Sequence, residues 1–306
     1  LSCLAGAPLA ALAQEPAGPL SEAAAEAAPE TAITPASPEE LEAAIAEFEA
    51  SLEHRKGKVA IPAAHVTLNV PDGFYFLDAS DAQDVLEDAW GNPPDTTVSG
   101  MIFPEGSSPM TENAWGVVLT FEETGYVSDE DASGLDYDML IDAMRDGLDR
   151  ENAQRKSQGY PSIDIIGWAA EPRYDAVTHK LYWAKEIAFG GEPLHTLNYD
   201  MRVLGRQGVL SLNFVATVDQ LAEIEKASPA VLAIPEFDSG FRYADFDAAV
   251  DKKADFGVVG LIGGDVEGEA GAHVEAAVGF AVIDASVLLH EGQHRRHIWQ
   301  GVDAVG

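Results

Sequence analysis

The chain has almost no cysteine and few basic residues. Its one cysteine, Cys3, lies in a segment that we expect to be removed, so the mature protein would hold no disulfide. Only 18 Lys and Arg stand against 52 Asp and Glu, which gives a formal net charge of −34 at pH 7. Because so acidic a surface repels phosphate backbones, we expect no nucleic-acid partner.

Several motifs that mark enzymes are also missing from the sequence. It contains no Gly-rich phosphate loop, no nucleophile elbow and no Cys-x-x-Cys pair. Nor is there an uninterrupted apolar run of the roughly 20 residues that a spanning helix needs, since residues 271–289 are broken by His273, Glu275 and Asp284. These absences favour a protein without a cofactor and without a catalytic set.

The N-terminal residues predict export. Residues 1–13 are small and apolar, and Ala11-Leu12-Ala13 has the form that signal peptidase accepts, although the basic n-region is missing. Residues 14–37 consist mainly of Ala, Pro and Glu, and we expect an acidic, disordered linker there. The first 13 residues are therefore interpreted as a signal peptide.

Residues 38–256 have the pattern of one folded α+β domain. Ser37 precedes a proline and a capping-box glutamate, which predicts the start of a helix. Asp136 predicts the cap of a second helix, and apolar residues alternate in three long strands around 181–189, 197–203 and 210–214. The strands follow one another without regular helical crossovers, so we expect an antiparallel sheet with helices packed over it. This plan is similar to that of the photosystem oxygen-evolving subunit superfamily.

Unusual sequence blocks in the middle of the chain identify a family resemblance. They are Gly125-Tyr-Val-Ser-Asp-Glu-Asp131, Gly167-Trp-Ala-Ala-Glu-Pro-Arg-Tyr-Asp175, Lys180-Leu-Tyr-Trp-Ala184 and Leu197-Asn-Tyr-Asp-Met-Arg-Val-Leu-Gly-Arg206. With Trp90-Gly-Asn-Pro and Tyr243-Ala-Asp-Phe246, they resemble the bacterial family called domain of unknown function 2167, uncharacterised membrane-anchored proteins. The resemblance implies a periplasmic domain, anchored to the inner membrane in relatives through a C-terminal segment, and it implies no activity.

The C-terminal tail fits that resemblance least. Residues 257–306 cover the region where relatives would carry the membrane anchor, and charges interrupt the apolar stretch there. We therefore interpret this tail as a degenerate or frameshifted anchor region.

Two sequence motifs could hold a metal ion. Asp129, Asp131 and Ser133, followed by a glycine, match the opening of a calcium loop, but the twelfth position lacks the closing glutamate. A solvated acidic loop that leads into the next helix is the competing interpretation.

The second metal motif lies near the C-terminus. His290, His294 and His297 have zinc-ligand spacing, with Glu291 as a candidate general base for a hydrolase. A glycine inside the motif and the short chain beyond it weaken this hypothesis.

A third candidate site is a row of polar residues on neighbouring strands. Asn198, Asp200 and Arg202 alternate with apolar residues, and Ser211 and Asn213 do the same on the next strand. Such a row could line a ligand groove, and otherwise it is the solvent face of an antiparallel sheet. The sequence favours a non-enzymatic module that binds an envelope protein or ligand, with a zinc-dependent hydrolase as the alternative.

Overall fold

The computed structural model describes residues 37–92, 98–111, 114–134, 136–191, 193 and 195–263. All of them lie in the second of two compact units, Pro35–Gly306. Antiparallel sheets with several helices make up this part of the chain, which confirms the α+β class.

The described residues form five α-helices. They are α1 (Pro38–Ser51), α2 (Ala79–Asp84), α3 (Tyr137–Ser157), α4 (Leu221–Leu232) and α5 (Val258–Gly263). A π-helical turn, Val85–Ala89, extends α2. Asp78 caps α2 by accepting from two backbone amides, and Asp136 caps α3 in the same way through the amide of Met139.

Twelve strands form three sheets in the described part of the chain. The bounds are β1 (Gly57–Ile61), β2 (Val66–Val70), β3 (Phe74–Leu77), β4 (Gly100–Pro104), β5 (Gly116–Glu122), β6 (Tyr126–Ser128), β7 (Ile163–Asp175), β8 (Lys180–Phe189), β9 (Thr196–Leu204), β10 (Val209–Thr217), β11 (Pro235–Phe237) and β12 (Lys253–Gly257). The main sheet has the order β3-β4-β5-β10-β9-β8-β7, and every pair in it is antiparallel. A small sheet has the order β1-β2-β11, and β12 pairs with β6 in parallel.

One face of the main sheet is entirely apolar at its centre. Leu197, Tyr199 and Met201 of β9 and the alternate residues of β10 point to this side and join one core cluster. The small sheet and α4 contribute Leu68 and Ile224 to the same cluster. Burial of these side chains, at about 25 cal/mol per Å2 of apolar surface, is the main force that holds the layers together.

The opposite face of the main sheet carries two separate apolar clusters. Residues of α2 and its π-helical turn pack on β3, β4 and β5 near one edge, and α3 packs with α5 on β7 and β8 near the other. The centre of β9 and β10 lies between these clusters. The polar row named above is therefore placed between two helical covers.

That placement corrects one sequence interpretation. The row was expected either to line a ligand groove or to face solvent. Its burial excludes the solvent face, since Asn198 and Asp200 are each only 2% exposed and Arg202 is 7% exposed. The ligand groove stays a prediction. The alternation of polar and apolar residues correctly predicted two different faces. It could not show that both faces are buried, because burial is decided by parts of the chain that are distant in sequence.

Candidate functional site

The polar residues on β8, β9 and β10 form one buried group on the face of the main sheet that also carries the α2 and α3 clusters. We call this group the polar cluster: Trp183, Lys185, Asn198, Asp200, Arg202, Ser211 and Asn213. The strand register brings them together, because Asp200 lies opposite both Trp183 and Asn213, and Arg202 lies opposite Ser211. Side chains at directly opposed positions on neighbouring strands are close enough to interact.

Asp200 is the centre of the hydrogen bonds in the polar cluster. Its Oδ1 accepts from Arg202 Nη1 at 2.9 Å and from Asn213 Nδ2 at 2.7 Å. The Nδ2 of Asn213 also donates to Asn198 Oδ1 at 2.8 Å. Lys185 Nζ lies 3.8 Å from the second carboxylate oxygen of Asp200. A buried carboxylate with two nearby cations is stable in a low-dielectric interior only because it is paired.

Four side-chain atoms of the polar cluster are buried without a hydrogen-bond partner in the described structure. They are Trp183 Nε1, Asp200 Oδ2, Ser211 Oγ and Asn213 Oδ1. Two of these atoms can donate and three can accept, since the serine hydroxyl does both. Leaving a buried polar group unsatisfied costs about 1–3 kcal/mol, so folded proteins rarely retain several in one place.

Trp183 differs from the other tryptophans that the structure describes. The indole nitrogens of Trp90, Trp115 and Trp168 donate to Pro109 O, Glu223 Oε1 and Tyr137 O, respectively. The Trp183 indole has no such acceptor, and the Arg202 guanidinium carbon lies 4.9 Å from its ring centroid. This contact fixes the ring beside the cation and leaves its N–H available.

Glu122 adds a titratable group near the polar cluster. Burial raises the pKa of its carboxyl, and the nearby Arg202 guanidinium partly opposes that shift. Protonation of Glu122 would therefore occur at a higher pH than for an exposed glutamate. The cluster lies beside a carboxyl that can act as a donor in its protonated form.

A second candidate feature is an open cleft at the β7 edge of the main sheet. It has a volume of about 550 Å3 and lies between Ser133 and Tyr137, which flank the start of α3, and residues 171–174 of β7. The Arg173 guanidinium carbon lies 5.3 Å from the centroid of the Tyr182 ring. The cleft is thus lined by aromatic and charged groups, but it is not beside Arg202.

The predicted calcium residues are held apart by separate protein contacts. Asp129 Oδ2 accepts from the Tyr174 hydroxyl at 2.7 Å. Asp131 accepts from the backbone amides of Val258 and Val259 at 3.0 and 3.2 Å, so it caps α5. Within the described ranges no three His, Cys, Asp or Glu residues are arranged to hold a metal ion.

The other residues of the two metal hypotheses lie elsewhere in the chain. Ser133 lines the cleft at the β7 edge. The candidate zinc residues His290, His294 and His297, with Glu291, lie outside the described residues. Both metal proposals stay predictions.

Sequence reasoning missed two members of the polar cluster and the whole cleft. Lys185 interrupts the apolar series Leu181, Trp183 and Ile187 on one face of β8, and this interruption was a readable signal of a buried charge. Trp183 has no such signal, because it fits the apolar alternation of residues 181–189. The cleft had no clear signal except Pro172 inside a strand, which is typical of an edge.

No helix in the described part of the chain has both the length and the apolar content to span a membrane. No curated protein matches the chain. Among solved structures, the chain is similar to PsbP of the cyanobacterium Synechocystis sp. PCC 6803, with 13% identity, a TM-score of 0.33 and coverage of 61% of this chain and 92% of the other.

The chain is also similar to the Ran-binding protein Mog1p of Saccharomyces cerevisiae, with 10% identity, a TM-score of 0.30 and coverage of 61% and 96%. At this level of similarity, neither structure assigns a ligand or a partner to this chain. Residues 53–290 match the family described as "Protein of unknown function (DUF2167)". Since that match covers more than half of the sequence, the chain belongs to this family.

Proposed function

We propose that this protein is an exported, envelope-associated binding module and that the polar cluster holds a small polar molecule. One observation carries the proposal: four buried polar atoms on three adjacent strands have no hydrogen-bond partner among the described residues. They combine donors, Trp183 Nε1 and Ser211 Oγ, with acceptors, Asp200 Oδ2 and Asn213 Oδ1. A molecule that offers both donors and acceptors satisfies all four.

The arrangement supports binding better than catalysis. Asp200 already accepts hydrogen bonds from Arg202 and Asn213 and lies beside Lys185, so its contacts position it as an acceptor. The described residues around Ser211 include no histidine that could activate its hydroxyl, since the nearest opposed residues on β9 and β5 are Arg202 and Thr120. Such a set of donors and acceptors is suited to hold a polar molecule in one orientation.

Mass measurement of the folded protein tests the ligand directly. We expect native mass spectrometry of protein purified from its own cells to show a mass excess that disappears on denaturation. The Ser211→Ala/Asn213→Leu variant should lack this excess. Ser228→Ala is the matched control, since Ser228 is buried but its hydroxyl donates to Glu225 O. An identical mass excess in the double variant and in Ser228→Ala would show that the polar cluster does not hold the molecule.

The export part of the proposal has its own support and its own test. It rests on the apolar residues 1–13 with an Ala-x-Ala site and on the acidic residues 14–37. A fusion of residues 1–37 to alkaline phosphatase, which is active only outside the cytoplasm, should be active. A fusion that begins at residue 14 is the control. Equal activity of both fusions would contradict export through this segment.

A further inference from the structure

The first half of the edge strand β7 is covered by side chains of α3. Asn152 Nδ2 donates to Ile163 O at 2.8 Å, and Asn152 Oδ1 accepts from the Ile163 amide at 2.7 Å. Arg145 donates through Nε to Ile165 O at 3.1 Å and through Nη2 to Ile166 O at 2.8 Å. These bonds satisfy main-chain groups that an edge strand otherwise presents to solvent or to another chain.

The second half of β7 has no such cover in the described structure. Beyond its pairing with β8, no hydrogen bond from the described residues reaches the main chain of residues 169–173. The open cleft of about 550 Å3 lies along this same segment. Its size falls within the range of roughly 300–1,000 Å3 that is typical of ligand pockets. The edge of the sheet is thus protected over one half and accessible over the other.

Charged side chains mark the accessible half. Glu171 and Arg173 are both exposed, and the register of β7 against β8 shifts between Ala170 and Arg173. None of the ion pairs among the described residues includes Arg173, whose guanidinium lies over the Tyr182 ring. A strand placed beside them would gain from a basic residue opposite Glu171 and an acidic residue opposite Arg173.

We propose that residues 169–174 of β7 dock an extended segment of a partner protein, which adds a strand to the main sheet. Main-chain hydrogen bonds supply the affinity in this mode of recognition, and the alternating side chains supply the specificity. Pro172 has no amide hydrogen and cannot donate to the added strand, so the paired stretch is short. The partner segment carries an acidic residue for Arg173 and a basic residue for Glu171.

A designed peptide tests this proposal with the full chain. The probe is Thr-Glu-Val-Lys-Val with acetylated and amidated ends, titrated into 15N-labelled protein while backbone amide resonances are recorded. We expect shifts confined to residues 169–174 and the adjoining cleft. The same peptide with a methyl group on its central amide nitrogen loses a main-chain donor and should bind about tenfold more weakly.

A charge reversal in the protein tests the side-chain part. Arg173→Glu should weaken binding of this peptide several-fold, and a peptide in which lysine replaces the glutamate should restore it. Lys156→Glu, which makes the same charge change at an exposed position on α3, should leave both affinities unchanged.

Three outcomes would overturn the proposal. The first is equal binding of the methylated and unmethylated peptides, since an added strand depends on main-chain donors. The second is an identical pattern of shifts with acetate alone, which would indicate an anion site at Arg173. The third is a concentration-dependent shift of these amides without peptide, which would show that the edge pairs with a second copy of the chain.

Discussion

Removal of the Asp200 carboxylate should be strongly destabilising, because it is the acceptor that holds the polar cluster together. In Asp200→Ala, Arg202 Nη1 loses its 2.9 Å bond and Asn213 Nδ2 loses its 2.7 Å bond. Lys185 Nζ also loses the carboxylate at 3.8 Å. Breaking a buried ion pair by removing one partner costs about 3–5 kcal/mol, since the remaining charge stays buried.

Urea unfolding followed by tryptophan fluorescence measures this loss. In thermal unfolding of a domain of this size, the same loss of about 3–5 kcal/mol lowers the melting temperature by roughly 6–20 °C. Asp164→Ala is the matched control, because Asp164 is an exposed residue of β7, and we expect a change within about 0.5 kcal/mol. Asp200→Asn keeps the shape of the side chain and removes its charge, so its loss of unfolding free energy should lie between those of Asp200→Ala and Asp164→Ala.

A double variant separates charge pairing from packing. Asp200→Leu/Arg202→Met replaces both partners with apolar side chains and should be less destabilised than Asp200→Leu alone. A loss below about 1 kcal/mol in Asp200→Ala would refute the reasoning, because the carboxylate would then not pair buried cations.

Three further predictions follow from the same contacts. Ser211→Ala removes an unpartnered hydroxyl and should leave the free energy of unfolding of the ligand-free protein unchanged or higher, whereas Ser228→Ala removes a bonded one and should cost about 1 kcal/mol in urea unfolding. Asp131→Ala removes the cap of α5 and should lower the free energy of unfolding by about 0.5–2 kcal/mol, with faster hydrogen exchange at the first two amides of that helix. If the melting temperature of the unaltered protein depends on calcium and this variant loses that dependence, the result would instead support the calcium hypothesis. The Arg206 guanidinium bonds both oxygens of Asp251 and lowers the pKa of that carboxyl from its ordinary value of 3.8, so the stabilisation by this ion pair is full above pH 3.8 and is lost as the pH falls through the lower folded-state pKa. Asp251→Asn should therefore flatten this part of a melting-temperature profile between pH 6 and 2, and an unchanged profile would contradict the pairing.

The helices and strands were predictable where local chemistry decides them. The capping residue Asp136 predicted the start of α3, and the structure places Leu140, Met144 and Leu148, which have helical spacing, in one buried cluster. Ser37 before Pro38 likewise predicted the start of α1. Caps and helical spacing act over a few residues, so one sequence contains them in full.

The environment of the candidate site was not predictable in the same way. Asn198, Asp200 and Arg202 could be assigned to one face of a strand from their alternation alone. Their burial depends on parts of the chain distant in sequence, and the register that places Trp183 opposite Asp200 is a contact between different strands. Long-range pairing of this kind leaves no trace in local periodicity.

The cover of the β7 edge is a second feature that the sequence alone does not predict. Asn152 looks like an ordinary polar residue on a helix, yet it bonds both main-chain groups of Ile163. Only the relative position of α3 and β7 reveals that one half of the edge is covered and the other is accessible. Such a difference could not be read from either segment alone.

Electron density at the polar cluster is the most direct test of the central claim. A crystal structure of the protein purified from its own cells, at a resolution that shows ordered water, should reveal a polar molecule larger than water. That molecule should accept from Trp183 Nε1 and Ser211 Oγ and donate to Asp200 Oδ2 or Asn213 Oδ1. Density for separate water molecules alone, or direct bonds from these four atoms to other protein groups, would contradict the account.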